Sequence, residues 1–173
     1  EACLAALEHA AFGFAFASGS AAATTLLHTL APGDHVVCGD DVYGGTYRLF
    51  MRVMRAFGIE TTFVDASDVG RFEAAFTPKT KLAWVESLTN PLLKLADLRA
   101  LSTVSRARGV PLAVDNTFAS PVLQRPLDLG ADVVLHSATK YLNGHSDVVG
   151  GALLVNDAGL AERLRFLQNA MGA

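Results

Sequence analysis

The chain is 173 residues long, and 51% of its residues are hydrophobic whereas only 18% are charged. That length suits one α/β domain with a sizeable core, and the low share of charged residues predicts surface that is buried at a subunit interface. The net charge of −3 gives no electrostatic footprint for nucleic acid or an anionic membrane, no apolar run approaches the ~18 residues of a membrane span, and nothing resembles a signal peptide.

Apolar runs and amphipathic stretches alternate along the chain, which predicts an α/β fold with a mostly parallel sheet and helices on both faces. No internal repeat or flexible linker interrupts this order, so residues 1–173 are predicted to form one domain. Up to the turn at Asn90-Pro91, the predicted elements are a helix at 3–8, a strand at 14–17, a helix at 21–30, a strand at 35–38, a helix at 43–57, a strand at 60–64, a helix at 69–76 and a strand at 82–86.

The second half of the chain follows the same alternation. Leu98, Leu101 and Val104 are spaced for one helix face, and Gly109 is placed to end that helix, which predicts an amphipathic helix at 97–108. The remaining predicted elements are a strand at 111–115, a short helical piece before Gly130, strands at 133–136 and 151–155, and a helix at 158–169.

Polar residues collect at the predicted carboxyl ends of strands, where ligands bind in open α/β sheets. Ser18, Gly19 and Ser20 start a helix whose free N–H groups can hold a phosphate, although a plain N-cap explains them equally. Glu86 ends an apolar strand, where a carboxylate needs a partner, and Asn90 can hydrogen-bond a ligand oxygen or simply form an Asn-Pro turn.

Three further groups of polar residues lie at or near the predicted carboxyl ends of strands. Asp115 after an apolar run can hold a protonated ring nitrogen, or can close the strand as an Asx-turn. Ser137 and Thr139 offer hydroxyls to a phosphate, and Lys140 is a candidate for a desolvated amine nucleophile or for a lysine that reaches water. Tyr43 suits stacking on a flat ring, or ordinary packing. Together these groups match what pyridoxal 5′-phosphate (PLP) requires from its protein.

Five blocks of the sequence carry a family resemblance across essentially the whole chain. They are residues 16–22, 40–46, 86–91, 114–118 and 137–149. In content, order and spacing these blocks resemble the Cys/Met-metabolism family of PLP enzymes, whose large domain has the aspartate-aminotransferase fold. The resemblance therefore implies PLP as the cofactor, and no metal site is predicted.

The same resemblance implies roles for individual residues. Lys140 is expected to form the Schiff base and to act as general base, Asp115 to pair with the ring nitrogen, and Tyr43 to stack on the ring and assist proton transfer. The other expected cofactor-binding residues surround the phosphate (Ser18, Gly19, Ser20, Ser137, Thr139) or the ring and its phenolic oxygen (Glu86, Asn90, Thr117).

The implied activity is γ-elimination or γ-replacement on sulfur amino acids, as in cystathionine γ-lyases and γ-synthases. The expected substrates are cystathionine, or an O-acylhomoserine with cysteine. Cystathionine β-lyase, methionine γ-lyase and O-acylhomoserine sulfhydrylase remain alternatives within the family. Gly45 occupies the position where methionine γ-lyases usually carry a cysteine, which disfavours that alternative.

The resemblance also implies parts that residues 1–173 do not contain. In the family, an N-terminal arm from a neighbouring subunit completes the phosphate site, and a C-terminal domain grips the substrate carboxylate. The chain is therefore expected to be the central part of the PLP-binding large domain, to self-associate into dimers and tetramers in its parent protein, and to be inactive alone.

Two rival interpretations belong to other classes. A nicotinamide-binding domain needs a Gly-x-Gly-x-x-Gly turn after the first strand, which the sequence lacks. A catalytically inactive scaffold that kept the fold is disfavoured by Lys140 and Asp115. Cys3 and Cys38 are too isolated for a metal knuckle or a disulfide framework, which predicts a cytoplasmic, reducing compartment.

Overall fold

The computed structural model describes all 173 residues and contains seven strands. Each predicted strand is present, and three have the predicted limits. The strands are β1 (Phe12–Phe16), β2 (His35–Gly39), β3 (Glu60–Val64), β4 (Thr80–Glu86), β5 (Leu112–Asp115), β6 (Val133–His136) and β7 (Gly151–Val155).

The strands form one sheet in the order β1-β7-β6-β5-β4-β2-β3. β7 is antiparallel to both of its neighbours, β1 and β6, whereas all the other pairs are parallel. Every strand except β7 therefore runs in the same direction. This confirms the mostly parallel sheet, and it brings the carboxyl ends of β1, β4, β5 and β6 to one edge.

The helices connect these strands. Side-chain caps explain several of their starts, because Ser18, Asp68, Asp97 and Asp157 each accept a hydrogen bond from an N–H in the first turn. The helices are α1 (Ala2–Leu7), α2 (Gly19–Leu27), α3 (Gly44–Arg48), α4 (Val69–Ala74), α5 (Leu98–Ala107), α6 (Ser120–Leu123) and α7 (Ala158–Met171).

One predicted helix differs in kind from the expectation. Instead of one α-helix at 43–57, α3 continues as a π-helical turn (Leu49–Val53) and a 3-10 turn (Met54–Phe57). The uneven winding leaves both Phe50 and Met54 buried in the core. Gly58, with a φ of 79°, ends the helical segment in the left-handed conformation that glycine adopts without strain.

The core consists of two layers, one on each face of the sheet. Alternate strand residues such as Trp84, Ala113 and Leu135 face α2, α7 and the helical turns at 49–57, whereas Val85, Val114 and Val134 face α1, α4 and α5. Helices therefore cover both faces, as predicted. None of the helices combines the length and hydrophobicity that crossing a bilayer requires.

Candidate active site

A cavity of about 250 Å³ opens at the edge where the parallel strands end. All eleven residues that were predicted from the sequence to bind the cofactor or act in catalysis line this cavity. They come from five separate segments of the chain. These residues are Ser18, Gly19, Ser20, Tyr43, Glu86, Asn90, Asp115, Thr117, Ser137, Thr139 and Lys140.

The amino terminus of α2 forms one end of the cavity. The Ser18 hydroxyl oxygen accepts a hydrogen bond from the Ala21 N–H at 3.0 Å, so Ser18 is the N-cap that the sequence indicated. Gly19 and Ser20 are the first two helical residues, whose N–H groups have no partner within the helix. A Cβ atom at Gly19 would lie 2.9 Å from the Cα of Ser137, so only glycine lets the two segments approach this closely.

The two hydroxyls that follow β6 differ in their availability. The Thr139 hydroxyl donates to the Gly150 carbonyl at 3.2 Å and accepts from the Gly150 N–H at 3.0 Å. Its proton is therefore directed to the backbone rather than to a ligand in the cavity, which differs from the expected role as a phosphate donor. The Ser137 hydroxyl has no hydrogen bond within the chain and can donate to an anion at the start of α2.

Lys140 lines the cavity but its side chain is exposed. Of the two interpretations that the sequence left open, the chain by itself shows the lysine that reaches water, and the role of Lys140 as an amine nucleophile stays a prediction. The physical reason for this exposure is position, because Lys140 lies four residues beyond the end of β6, at the cavity mouth rather than within the packed sheet. Exposed apolar side chains, among them Leu92, Tyr141 and Val149, lie in the neighbouring segments.

Two carboxyl groups end adjacent strands beneath this mouth. Glu86 on β4 is paired in register with Asp115 on β5, and Glu86 is only 5% exposed. Burial and the nearby charge of Asp115 raise the pKa of Glu86 to about 9, against the opposing effect of the backbone amides of Tyr43 and Asn90. The Tyr43 N–H donates to Glu86 Oε1 at 2.8 Å.

Burial also raises the pKa of Asp115, although hydrogen bonds from Thr117 and the charge of His136 oppose this effect. Two adjacent carboxyl groups with raised pKa values favour one shared negative charge over two at neutral pH. A cation placed against Asp115 would compensate that charge. The pair therefore suits a protonated ring nitrogen at the base of the cavity.

Thr117 lines the cavity and bonds to Asp115 through both its side chain and its backbone. Its hydroxyl donates to Asp115 Oδ1 at 2.5 Å, and its N–H donates to the same oxygen at 3.0 Å. The Asx-turn at Asp115 is thus present together with the cavity-facing carboxylate. The Ser137 N–H donates to the Thr117 hydroxyl at 2.8 Å, which ties the end of β5 to the end of β6.

Tyr43 is 50% exposed and lies over the start of α3. A Cβ atom built on Gly45 would approach a carbon of the Tyr43 ring to 2.2 Å, so the ring occupies the space that a side chain at position 45 would need. Gly45 therefore decides where the Tyr43 ring can lie. From the sequence alone, Gly45 was only a difference from methionine γ-lyases, and its effect on the Tyr43 ring could not be predicted.

Two acidic residues that were not predicted as site residues hold the segment that carries Asn90 in place. One oxygen of Asp41 accepts from the Thr89 hydroxyl at 2.5 Å and from the Leu92 N–H at 3.0 Å. The Lys94 ammonium lies 3.1 Å from a carboxylate oxygen of Asp40. The Asp40-Asp41 pair beside Tyr43 was visible in the sequence, but it gives no indication of partners about 50 positions away.

Comparison with known proteins identifies relatives along the full chain. The sequence model of the family described as Cys/Met metabolism PLP-dependent enzyme matches residues 1–173. A probable cystathionine gamma-synthase of Herpetosiphon aurantiacus is 58% identical over 99% of this chain and 54% of that protein. A cystathionine beta-lyase of Coxiella burnetii is 54% identical over 100% of this chain and 45% of that protein.

A solved structure agrees with the fold. The crystal structure of cystathionine gamma-lyase from Lactobacillus plantarum complexed with L-serine superposes with a TM-score of 0.98 and 50% identity, over 99% of this chain and 45% of that chain. The chain thus spans about half the length of the relatives it matches.

Proposed function

The chain belongs to the Cys/Met-metabolism family of PLP-dependent enzymes, and on this premise we propose that it forms the cofactor-binding centre of a trans-sulfuration enzyme. The proposed reaction is γ-elimination or γ-replacement on a sulfur amino acid. The observation that carries this proposal is the meeting of Lys140, Asp115 and the start of α2 in one cavity.

The residues of the cavity fit PLP. The free N–H groups of Gly19 and Ser20, with the Ser137 hydroxyl, suit a phosphate, and Asp115 suits the ring nitrogen. Lys140 lines the same cavity and would supply the amine that holds the cofactor aldehyde. When bound, PLP supplies a carbonyl that captures amines and a ring that accepts the electrons left at the substrate α-carbon.

The protein's own groups then hold and move protons. Asp115, oriented by the two Thr117 hydrogen bonds, would keep a proton on the ring nitrogen of bound PLP. The Lys140 amine, which lines the same cavity, would act as the general base for the α-carbon proton of a bound substrate. Tyr43, which is 50% exposed and lines the same cavity, would stack on a bound ring and assist proton transfer. The protonated Glu86 limits the negative charge beside Asp115.

The substrate and the assembly belong to the same proposal. Cystathionine, or an O-acylhomoserine with cysteine, are the proposed substrates, and β-elimination remains a second candidate because the relatives include a cystathionine beta-lyase at 54% identity. Residues 1–173 are proposed as the central part of the large domain of a dimeric or tetrameric protein. The free thiols Cys3 and Cys38 support the prediction of a cytoplasmic location.

The decisive experiment adds PLP to the full-length gene product and records the visible absorbance of the bound cofactor. We expect a band that Lys140→Ala abolishes and that Lys81→Ala, which changes an exposed lysine on β4, leaves unchanged. Product assays with cystathionine, and with O-succinylhomoserine plus cysteine, then separate lyase from synthase. A protein that binds PLP but forms no product in either assay would instead be the inactive scaffold.

A further inference from the structure

A buried polar network lies on the face of the sheet opposite the cavity. Its hub is the Glu8 carboxylate, directly after α1, whose Oε1 atom accepts from His136 Nε2 at 2.5 Å and from Asn116 Nδ2 at 2.8 Å. Glu8, Asn116 and His136 are each at most 1% exposed. The proposed reaction uses none of these three residues.

Gln124, after α6, extends the network to a third strand. Its Nε2 atom donates to Asn116 Oδ1 at 3.1 Å and to the Ser87 carbonyl at 2.9 Å. His136 ends β6, Asn116 directly follows β5 and Ser87 directly follows β4. The network therefore joins the carboxyl ends of three adjacent strands.

Each strand end in the network is one residue away from a group that lines the cavity. Ser87 follows Glu86, Asn116 follows Asp115, and His136 precedes Ser137. Successive strand residues point to opposite faces, so the cavity groups and the network lie back to back across the same three strand ends. A displacement of the network would therefore move Glu86, Asp115 and Ser137 relative to one another.

The network is costly in free energy for a merely structural contact. Glu8 Oε2 and His136 Nδ1 are buried without any hydrogen-bond partner. Buried polar groups of this kind destabilise a fold relative to well-packed apolar side chains of similar volume, but a hydrogen-bonded network fixes one geometry more strictly than apolar packing does. Strict geometry is what a site that binds a ring and a phosphate together requires.

We propose that Glu8 is a positioning residue of the candidate active site, and that it acts through His136 and Asn116 on the spacing of the strand ends that present Asp115 and Ser137. This inference rests on the proposed function, because the spacing matters only if the cavity holds the cofactor. The α1 segment contributes no residue to the cavity lining, yet through Glu8 it would affect cofactor binding.

The test measures PLP binding to the full-length protein and its Glu8→Gln variant, by titration of the visible band and by the circular dichroism of that band. We expect about tenfold weaker binding, the lower end of what loss of an outer-shell partner costs in metal sites, and a smaller dichroic signal at saturation. His136→Leu should act similarly. The double variant should lose no more than the larger single effect, because both residues act through one network.

Val134→Ala is the matched control. Val134 is a buried residue two positions before His136, on the same face of the same strand, so its truncation lowers the melting temperature without touching the polar network. We expect unchanged PLP affinity and dichroism in this variant. An equal loss in Val134→Ala would show that Glu8 acts only through stability and would overturn the inference.

Two further outcomes separate the inference from the proposed function. Unsubstituted protein without a cofactor band defeats both, whereas a normal band that Glu8→Gln leaves unchanged in affinity and dichroism defeats the inference alone. If Glu8→Gln does not fold, Gln124→Ala replaces it, because Gln124 is only partly buried and still joins Asn116 to Ser87. The expected loss of affinity then has the same direction, and its absence overturns the inference that this network sets the spacing of the strand ends.

Discussion

The two edges of the sheet both contain buried polar residues, but they differ in what those residues leave unpaired. At the amino edge, His35 is 4% exposed, and its two ring nitrogens lie 2.8 Å from the Thr80 hydroxyl and 2.9 Å from the Thr62 hydroxyl. At the carboxyl edge, Glu86 and Asp115 lie side by side with raised pKa values. Burial alone therefore does not distinguish the candidate site, whereas two adjacent buried carboxyl groups with raised pKa values are typical of one.

The edges also differ in how pH acts on them. Burial lowers the pKa of His35, so the unfolded chain binds a proton more readily and stability falls as pH falls through the ordinary histidine range. Burial raises the pKa of Glu86, so the folded chain holds a proton that the unfolded chain releases. Stability therefore falls at this edge as pH rises from near 4.5 toward 9. The two edges should respond to pH in opposite directions.

The largest expected effect is that of Asp115→Asn on turnover. The amide cannot hold a proton on a ring nitrogen by charge, so we expect kcat to fall by about 10³-fold, the scale of losing a preorganised electrostatic group. Steady-state assays of the full-length protein measure this effect. Asp132→Asn is the matched control, because Asp132 accepts from the Leu112 N–H at 2.8 Å at the other edge and should affect stability without affecting kcat.

A second test compares the pH dependence of unfolding in cofactor-free protein with and without Glu86→Gln. The glutamine cannot ionise but can still accept from the Tyr43 N–H, so its advantage over glutamate should grow from pH 5 to pH 9 and reach on the order of a few kcal/mol. Urea denaturation at several pH values measures this difference. Parallel pH profiles for the two proteins would contradict a protonated Glu86.

The smallest expected effect is that of His35→Ala. Its loss leaves the Thr80 and Thr62 hydroxyls without their shared partner, so we expect about 2 kcal/mol lower stability, together with weaker dependence of stability on pH near 6. PLP affinity should not change. PLP affinity should be compared under conditions in which both proteins are equally folded. Weaker PLP binding by His35→Ala under those conditions would contradict the assignment of a purely structural role to the amino edge.

Much of the fold and site could be predicted because the relevant signals are local in sequence. Apolar runs located every strand, and polar residues directly after such runs located the cavity lining, since all strands except β7 end at one edge. Helix limits were less accurate. The π-helical turn at Leu49–Val53 has no counterpart in simple helical periodicity.

Contacts between distant positions could not be predicted in this way. Glu8 and His136 are separated by 128 positions, and no periodic pattern connects them. The hydrogen-bond partners of individual hydroxyls could not be predicted either. The Thr139 hydroxyl bonds to Gly150 only because the chain comes back beside Thr139 at the start of β7. The exposure of Lys140 depends on what covers the cavity mouth, which local sequence does not encode.

The reversal of β7 has a consequence for how this region can change. Because β7 begins at the edge where β6 ends, residues 137–150 leave that edge and return to it, and the Thr139–Gly150 hydrogen bonds close the loop beside Lys140. Loop-closure entropy rises by only about 0.6 kcal/mol per doubling of length. The Thr139–Gly150 hydrogen bonds, rather than the length of the loop, therefore fix Lys140 beside the mouth of the cavity.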